Sequence, residues 1–232
     1  MLAPIILLPG LKSDHRVWAP QAAALSATGP VEIPVAALDS DRIEQMAAQV
    51  LASAPPVFAL AGCSMGGYVA LAVVRQAPER IQRLALLSTS ARPEHPNATP
   101  GRHAALAQAR KDGVGAMARA GLDRDFHAAH HKDPALGDIM AGMAEAIGLA
   151  VIERQMQAAI TRPDARPALP GIACPTLVIC GEDDQITPPD CAHELAAAIP
   201  HAALHLLPDC GHCATLEKPA AVTAFMLEWL RQ

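Results

Sequence analysis

Aromatic side chains are scarce. Two tryptophans, one tyrosine and three phenylalanines make up 3% of the 232 residues, although 51% of the chain is hydrophobic. The apolar surplus is largely alanine, a strong helix former that lets backbones approach closely, so many closely packed helices are expected rather than a core of bulky side chains. Basic charge is short as well. Eighteen Lys and Arg face 23 Asp and Glu, a net charge of −5. No Lys/Arg cluster repairs the deficit, which argues against a nucleic-acid partner. No apolar run approaches the roughly 18 residues of a membrane span. The opening Met1-Leu2-Ala3-Pro4 has no basic leader region and no small-residue cleavage site before the first strand. The expectation is a cytoplasmic protein without a signal peptide. Six cysteines at this length then read as free thiols, several of them buried, rather than as a disulfide framework.

What is present is an alternation of short apolar runs and amphipathic stretches. Ile5 to Leu8, Val31 to Ala36, Val57 to Ala61, Leu84 to Leu87, Leu177 to Cys180 and Leu204 to Leu207 read as six strands. Between them apolar residues recur at helical spacing: Trp18, Ala22 and Leu25, then Ile43, Met46, Ala47, Val50 and Leu51. A stretch apolar nearly all round runs from Met65 to Ala77 and must be buried against a sheet. Strands alternating with helices imply parallel βαβ units with right-handed crossovers. The rhythm breaks between about Pro93 and Pro170, where helical patterns such as Met140, Met143, Ala144 and Ile147 occur without a convincing strand. The expected architecture is an α/β fold, a mostly parallel sheet of about six strands flanked by helices. Residues 1–92 and 171–232 form its core, and 93–170 form a helical lid over one end of the sheet.

Gly62-Cys63-Ser64-Met65-Gly66 spells G-x-S-x-G between a buried strand and a buried helix. A nucleophilic serine must be held at a sharp turn with its hydroxyl exposed, and small neighbours two residues either side avoid a clash. The helix that follows aims its N-terminal N–H groups and dipole at the same place, where an oxyanion would form. A serine hydroxyl needs a base, and the base needs an orienting carboxylate. Glu182, Asp183 and Asp184 follow the fifth strand, and His212 follows the sixth through a Gly-containing turn. Both groups lie past strand C-termini, where open parallel sheets bind ligands. Pro188, opening the next helix, favours Asp184 among the three acids, with Asp183 as the alternative. The Gly10-Leu11 turn after the first strand offers the Leu11 N–H as one oxyanion donor and the elbow offers that of Met65.

These segments together resemble the α/β-hydrolase superfamily, and more narrowly its short bacterial esterase and lactonase-like members. Leu8-Pro9-Gly10-Leu11 with Trp18, the Ser64 motif, Ala77-Pro78-Glu79-Arg80, Gly181 to Pro188, Gly211-His212 and Glu217-Lys218-Pro219 carry the likeness. The resemblance implies a Ser64, His212, Asp184 triad, no metal and no organic cofactor. It also places the first strand of this chain at the third of larger relatives, so that the two leading strands are expected to be missing. Pro9 stands where the family often has His before the glycine, and Asp39-Ser40-Asp41 replaces its usual Gly-rich loop. The expected activity is hydrolysis of a small-molecule carboxylic ester. The same triad also supports lactone, thioester, amide or carbon–carbon hydrolysis and acyl transfer, and the fold serves some non-catalytic ligand receptors. Trp18, Met140 and Met143, with Met156, are expected to line the substrate pocket, although core packing explains the methionines equally well.

Two further patterns compete with this reading. Cys210-Gly211-His212-Cys213 spells C-x-x-C, but a redox pair needs its first Cys at a helix N-terminus, and here it sits in a loop. His127, His130 and His131 fall at i, i+3 and i+4, a spacing that can face one way on a helix and bind zinc. No neighbouring acid or thiol completes a ligand set, so a solvated or lid-lining face is expected instead.

Overall fold

The computed structural model describes residues 3–231. Met1 and Leu2, half of the opening tetrapeptide considered above, lie outside the described residues. The six strands are β1 (Ile5–Leu8), β2 (Val31–Glu32), β3 (Phe58–Cys63), β4 (Ile81–Leu87), β5 (Thr176–Gly181) and β6 (Ala202–Leu207). They form one sheet in the order β2-β1-β3-β4-β5-β6, and every neighbouring pair is parallel. The chain steps from β1 outward to β2 and then back across β1 to β3. That reversal opens a crevice at the carboxyl ends of β1 and β3.

Strand alternation sorts the core onto two faces. Ile5, Leu7, Ala59, Ala61, Leu177 and Ile179 pack on one, and Ile6, Leu8, Phe58, Leu60, Val178 and Cys180 on the other. Helices α1 (Ala19–Leu25), α2 (Ile43–Ser53) and α3 (Met65–Gln76) precede and follow the first strands. Between β4 and β5 come α4 (Thr99–Asp112), α5 (Val114–Ala120), α6 (Leu122–Asp125), α7 (Pro134–Ile147) and α8 (Leu149–Ile160). Helices α9 (Pro189–Ala198), α10 (Ala214–Glu217) and α11 (Pro219–Trp229) complete the chain. The second face is covered by α2, α3 and α9, and the first by α1, α11 and the helices that follow β4. As its all-round apolarity requires, α3 is buried from Met65 through Val74.

Two boundaries differ from expectation by three residues or more. The second strand ends at Glu32 rather than Ala36, because Pro34 has no N–H for the ladder and Val35–Leu38 coils into a 3-10 turn. The fourth begins at Ile81 rather than Leu84, since its first turn of sequence carries Gln82 and Arg83 and hides the apolar run. Helices α7 and α8 turn by 95° across Gly148, whose φ of 80° suits glycine. Among the described residues no single helix is long and apolar enough to cross a membrane.

Candidate active site

Ser64 sits at the junction of β3 and α3 with φ 52° and ψ −119°, a left-handed conformation that is strained for any residue with a side chain. The surroundings hold it there. Its N–H donates to the Leu87 carbonyl at 3.0 Å, while its own carbonyl accepts from the Gly67 N–H at 2.9 Å. The Thr89 hydroxyl also donates to that carbonyl, at 2.8 Å. Thr89 is a contributor the sequence does not single out, because it acts through a backbone atom of a different strand end. The glycines are required by close approach. A Cβ on Gly62 would lie 2.3 Å from the Gly66 carbonyl oxygen, and one on Gly66 would lie 2.2 Å from that of Leu8. Gly62→Ala is therefore expected to cost about 3 kcal/mol, because backbone rather than a flexible side chain must move. Urea unfolding of the variant, read as a lowered midpoint, checks this.

His212 reaches Ser64 from beyond the edge strand β6. Its Nε2 lies 2.9 Å from Ser64 Oγ, and its Nδ1 lies 2.8 and 2.9 Å from the two carboxylate oxygens of Asp184. Asp184 is buried and accepts further hydrogen bonds. The N–H groups of Ile186 and Thr187 donate to its Oδ1 at 2.8 and 2.9 Å, and the Thr187 hydroxyl donates to Oδ2 at 2.9 Å. Burial alone would raise the Asp184 carboxyl, but the His212 charge and these donors outweigh it and hold it below the usual range. For His212, burial works against the charged ring, yet Asp184 prevails and leaves its pKa above that of an ordinary histidine. Asp183, the alternative acid, is 53% exposed and faces His127 Nε2 at 3.8 Å instead.

The loop that carries His212 is clamped on both sides. Gly211 N–H donates to Glu217 Oε1 at 2.9 Å, and the same carboxylate takes the His127 N–H at 2.7 Å. A Cβ on Gly211 would lie 2.5 Å from the Phe126 carbonyl carbon, so glycine is needed beside the histidine. Leu11 and Met65 both line the cavity onto which Ser64 opens. Neither N–H is taken up by an acceptor among the described residues. Burial pushes the neighbouring Cys63 thiol up to about 12, which keeps it protonated beside the serine.

Ser64 and His212 open onto a cavity of about 1160 Å³ bounded by the ends of the strands below and by the β4–β5 helices. Met140 and Met156 line it. Trp18 and Met143 do not: both are fully buried in the core on the same face of the sheet. Helical periodicity marks a buried face without saying whether it meets protein or cavity. A smaller cavity of about 320 Å³, along the outer side of α3, contains neither Ser64 nor His212.

The histidine spacing at 127–131 does not form a helical face. Ala128–His130 is a 3-10 turn, the His127 ring accepts from the Ala129 N–H, and the His131 ring meets the Phe126 carbonyl at 3.0 Å. Among the described residues no three His, Cys, Asp or Glu side chains are grouped to hold a metal ion. All six cysteines are free, and burial raises the thiols of Cys210 and Cys213.

Residues 3–225 match the model of the "Alpha/beta hydrolase family". A protein named as a non-heme bromoperoxidase in Mycobacterium tuberculosis is 32% identical over 175 residues, covering 72% of this chain. The chain spans 66% of the length of that relative. Among solved structures, a thermophilic esterase from Thermogutta terrifontis superposes with a TM-score of 0.87 at 28% identity, covering 99% of this chain and 89% of that one. The enol-lactonase from Burkholderia xenovorans LB400 superposes with a TM-score of 0.88 at 29% identity, covering 100% of this chain and 92% of that one.

Proposed function

The chain belongs to the alpha/beta hydrolase family, and from that premise we propose that it is a serine hydrolase cleaving small-molecule carboxylic esters through an acyl-enzyme. The observation that carries this reading is the continuous hydrogen-bonded array from Ser64 Oγ through both ring nitrogens of His212 to Asp184. Ser64 attacks the ester carbonyl as His212 Nε2 takes its proton. Asp184 holds the ring in the tautomer that leaves Nε2 free and stabilises the imidazolium that forms. The Leu11 and Met65 N–H groups meet the oxyanion, and the dipole of α3 adds to their field. The imidazolium returns its proton to the leaving alcohol, and water, activated by the same ring, releases the acid.

Residues 93–170 serve as a lid on the core formed by 1–92 and 171–232, and Met140 and Met156 bound the space available to the acyl group. The proposed compartment is the cytoplasm, a reading that the six free thiols support. A lactone is a cyclic ester that meets the same groups, and the likeness to an enol-lactonase favours it as a second reading. A panel of p-nitrophenyl esters of rising acyl length, run beside several lactones, tests the proposal. Turnover of at least one ester, lost in Ser64→Ala, is expected; turnover of lactones alone supports the second reading, and turnover of neither contradicts both.

A further inference from the structure

The two halves of the site leave the sheet far apart. Leu11 follows β1 and His212 follows β6, with β3, β4 and β5 lying between those strands. Lys12, the residue after Leu11, connects them. Its Nζ donates to Asp125 Oδ2 at 2.7 Å, and the two side chains are only 12% and 4% exposed. Asp125 ends α6, and its carbonyl accepts the N–H groups of both His212 and Cys213 at 3.1 Å. The Lys12 N–H donates to Gln155 Oε1 of α8 at 3.0 Å, and Gln155 in turn donates to the Leu38 carbonyl. Lys12 holds a φ of 58°, which a non-glycine residue keeps only when its surroundings fix it. Arg124 also lies near the carboxylate, 3.7 Å away and exposed, and His212 is close enough to feel the Asp125 charge.

We propose that Lys12 is a positioning residue: its ion pair with Asp125 braces the oxyanion loop against the histidine loop, across the top of the sheet. On this view α6 is a fixed strut of the site, one that sets where the Leu11 N–H stands relative to His212 Nε2. The inference rests on the hydrolase reading above. Lys12 and Asp125 line the cavity but hydrogen-bond neither Ser64 Oγ nor the His212 ring, so loss of the ion pair should slow the chemistry more than it weakens substrate binding. Misplacing a catalytic group by about 1 Å can cost on the order of 100-fold in rate.

The test uses K12M, K12R and the apolar pair K12M/D125L. Three quantities are read: the kcat and KM for an ester the wild type hydrolyses, the second-order rate at which a fluorophosphonate modifies Ser64, and the thermal midpoint. The phosphonyl oxygen occupies the oxyanion position, so the labelling rate reports on the base and the donors independently of substrate choice. K12M is expected to lower kcat and the labelling rate about 30-fold with KM within about threefold. K12R, which keeps the cation, should recover most of both. The double variant removes the orphaned buried carboxylate and should regain thermal midpoint while staying slow. A K12M labelling rate within twofold of wild type, or a double variant that regains rate along with stability, overturns the brace. A wild-type protein left unmodified by the reagent overturns the hydrolase reading itself, and the brace with it.

Discussion

Ser64→Ala is expected to lower ester turnover by at least about 10⁴-fold, because Ser64 Oγ is the hydroxyl held against His212 Nε2. The fold should survive. Ser and Ala carry the same Cβ, so the left-handed backbone at position 64 is no more strained in the variant. The hydrogen bonds that pin this residue run through its N–H and carbonyl, to Leu87, Gly67 and Thr89. Alanine keeps all of them. The hydroxyl loses only its contact with His212, so thermal unfolding should stay within a few degrees of wild type while activity disappears. Ester turnover and circular dichroism on the same preparation separate the two effects, and retained turnover in folded protein would mean that another nucleophile does the work.

Asp184→Asn should cost about 10³- to 10⁴-fold in kcat near neutral pH, through the tautomer of His212 rather than through loss of geometry. The donors around the carboxylate dictate this. Oδ1 accepts two backbone N–H groups, from Ile186 and Thr187, so the carbonyl of an asparagine must stay on that side. Its NH₂ then points at His212 Nδ1 and the Thr187 hydroxyl. An N–H donor there forces Nδ1 to accept, which puts the ring proton on Nε2, facing Ser64. In that tautomer the ring cannot take the serine proton.

The pH dependence follows with a definite sign. The base works only when neutral, so kcat/KM rises as pH rises through the pKa of His212. In the wild type Asp184 keeps that pKa above the ordinary histidine value against the opposing effect of burial. With the carboxylate gone, burial is opposed only by the weaker influence of Asp125, and the acid limb of the variant should move to lower pH. A pH–rate profile of both proteins measures the displacement. An unmoved or upward-moving limb would show that another group than Asp184 sets the charge on the imidazole.

Much of this site was legible along the chain because its parts are local. A buried strand, a serine between glycines and a buried helix sit within some twenty residues, and the close approach of Gly62 to Gly66 is what that spacing encodes. Asp184 stood out from Asp183 only weakly in sequence; its burial against Thr187 and His212 separates the two in space. What could not be read spans long separations. The Lys12–Asp125 pair joins residues 113 positions apart, and Thr89 reaches Ser64 from the end of a neighbouring strand. Neither leaves a pattern in composition or periodicity. Trp18 and Met143 illustrate the converse, since an apolar residue near a site looks the same from sequence whether it faces the cavity or the core. The second strand ended early for a reason that was visible, Pro34, but whose weight depends on β2 lying at the sheet edge.

The most direct measurement traps the intermediate. A slowly deacylated ester is mixed with the protein, quenched in acid within the first turnover, digested and weighed by mass spectrometry. A peptide containing Ser64 that is heavier by the mass of the acyl group, and absent from Ser64→Ala, is the expected result. An unmodified Ser64 during turnover, or the acyl group found on another residue, would contradict the proposed mechanism.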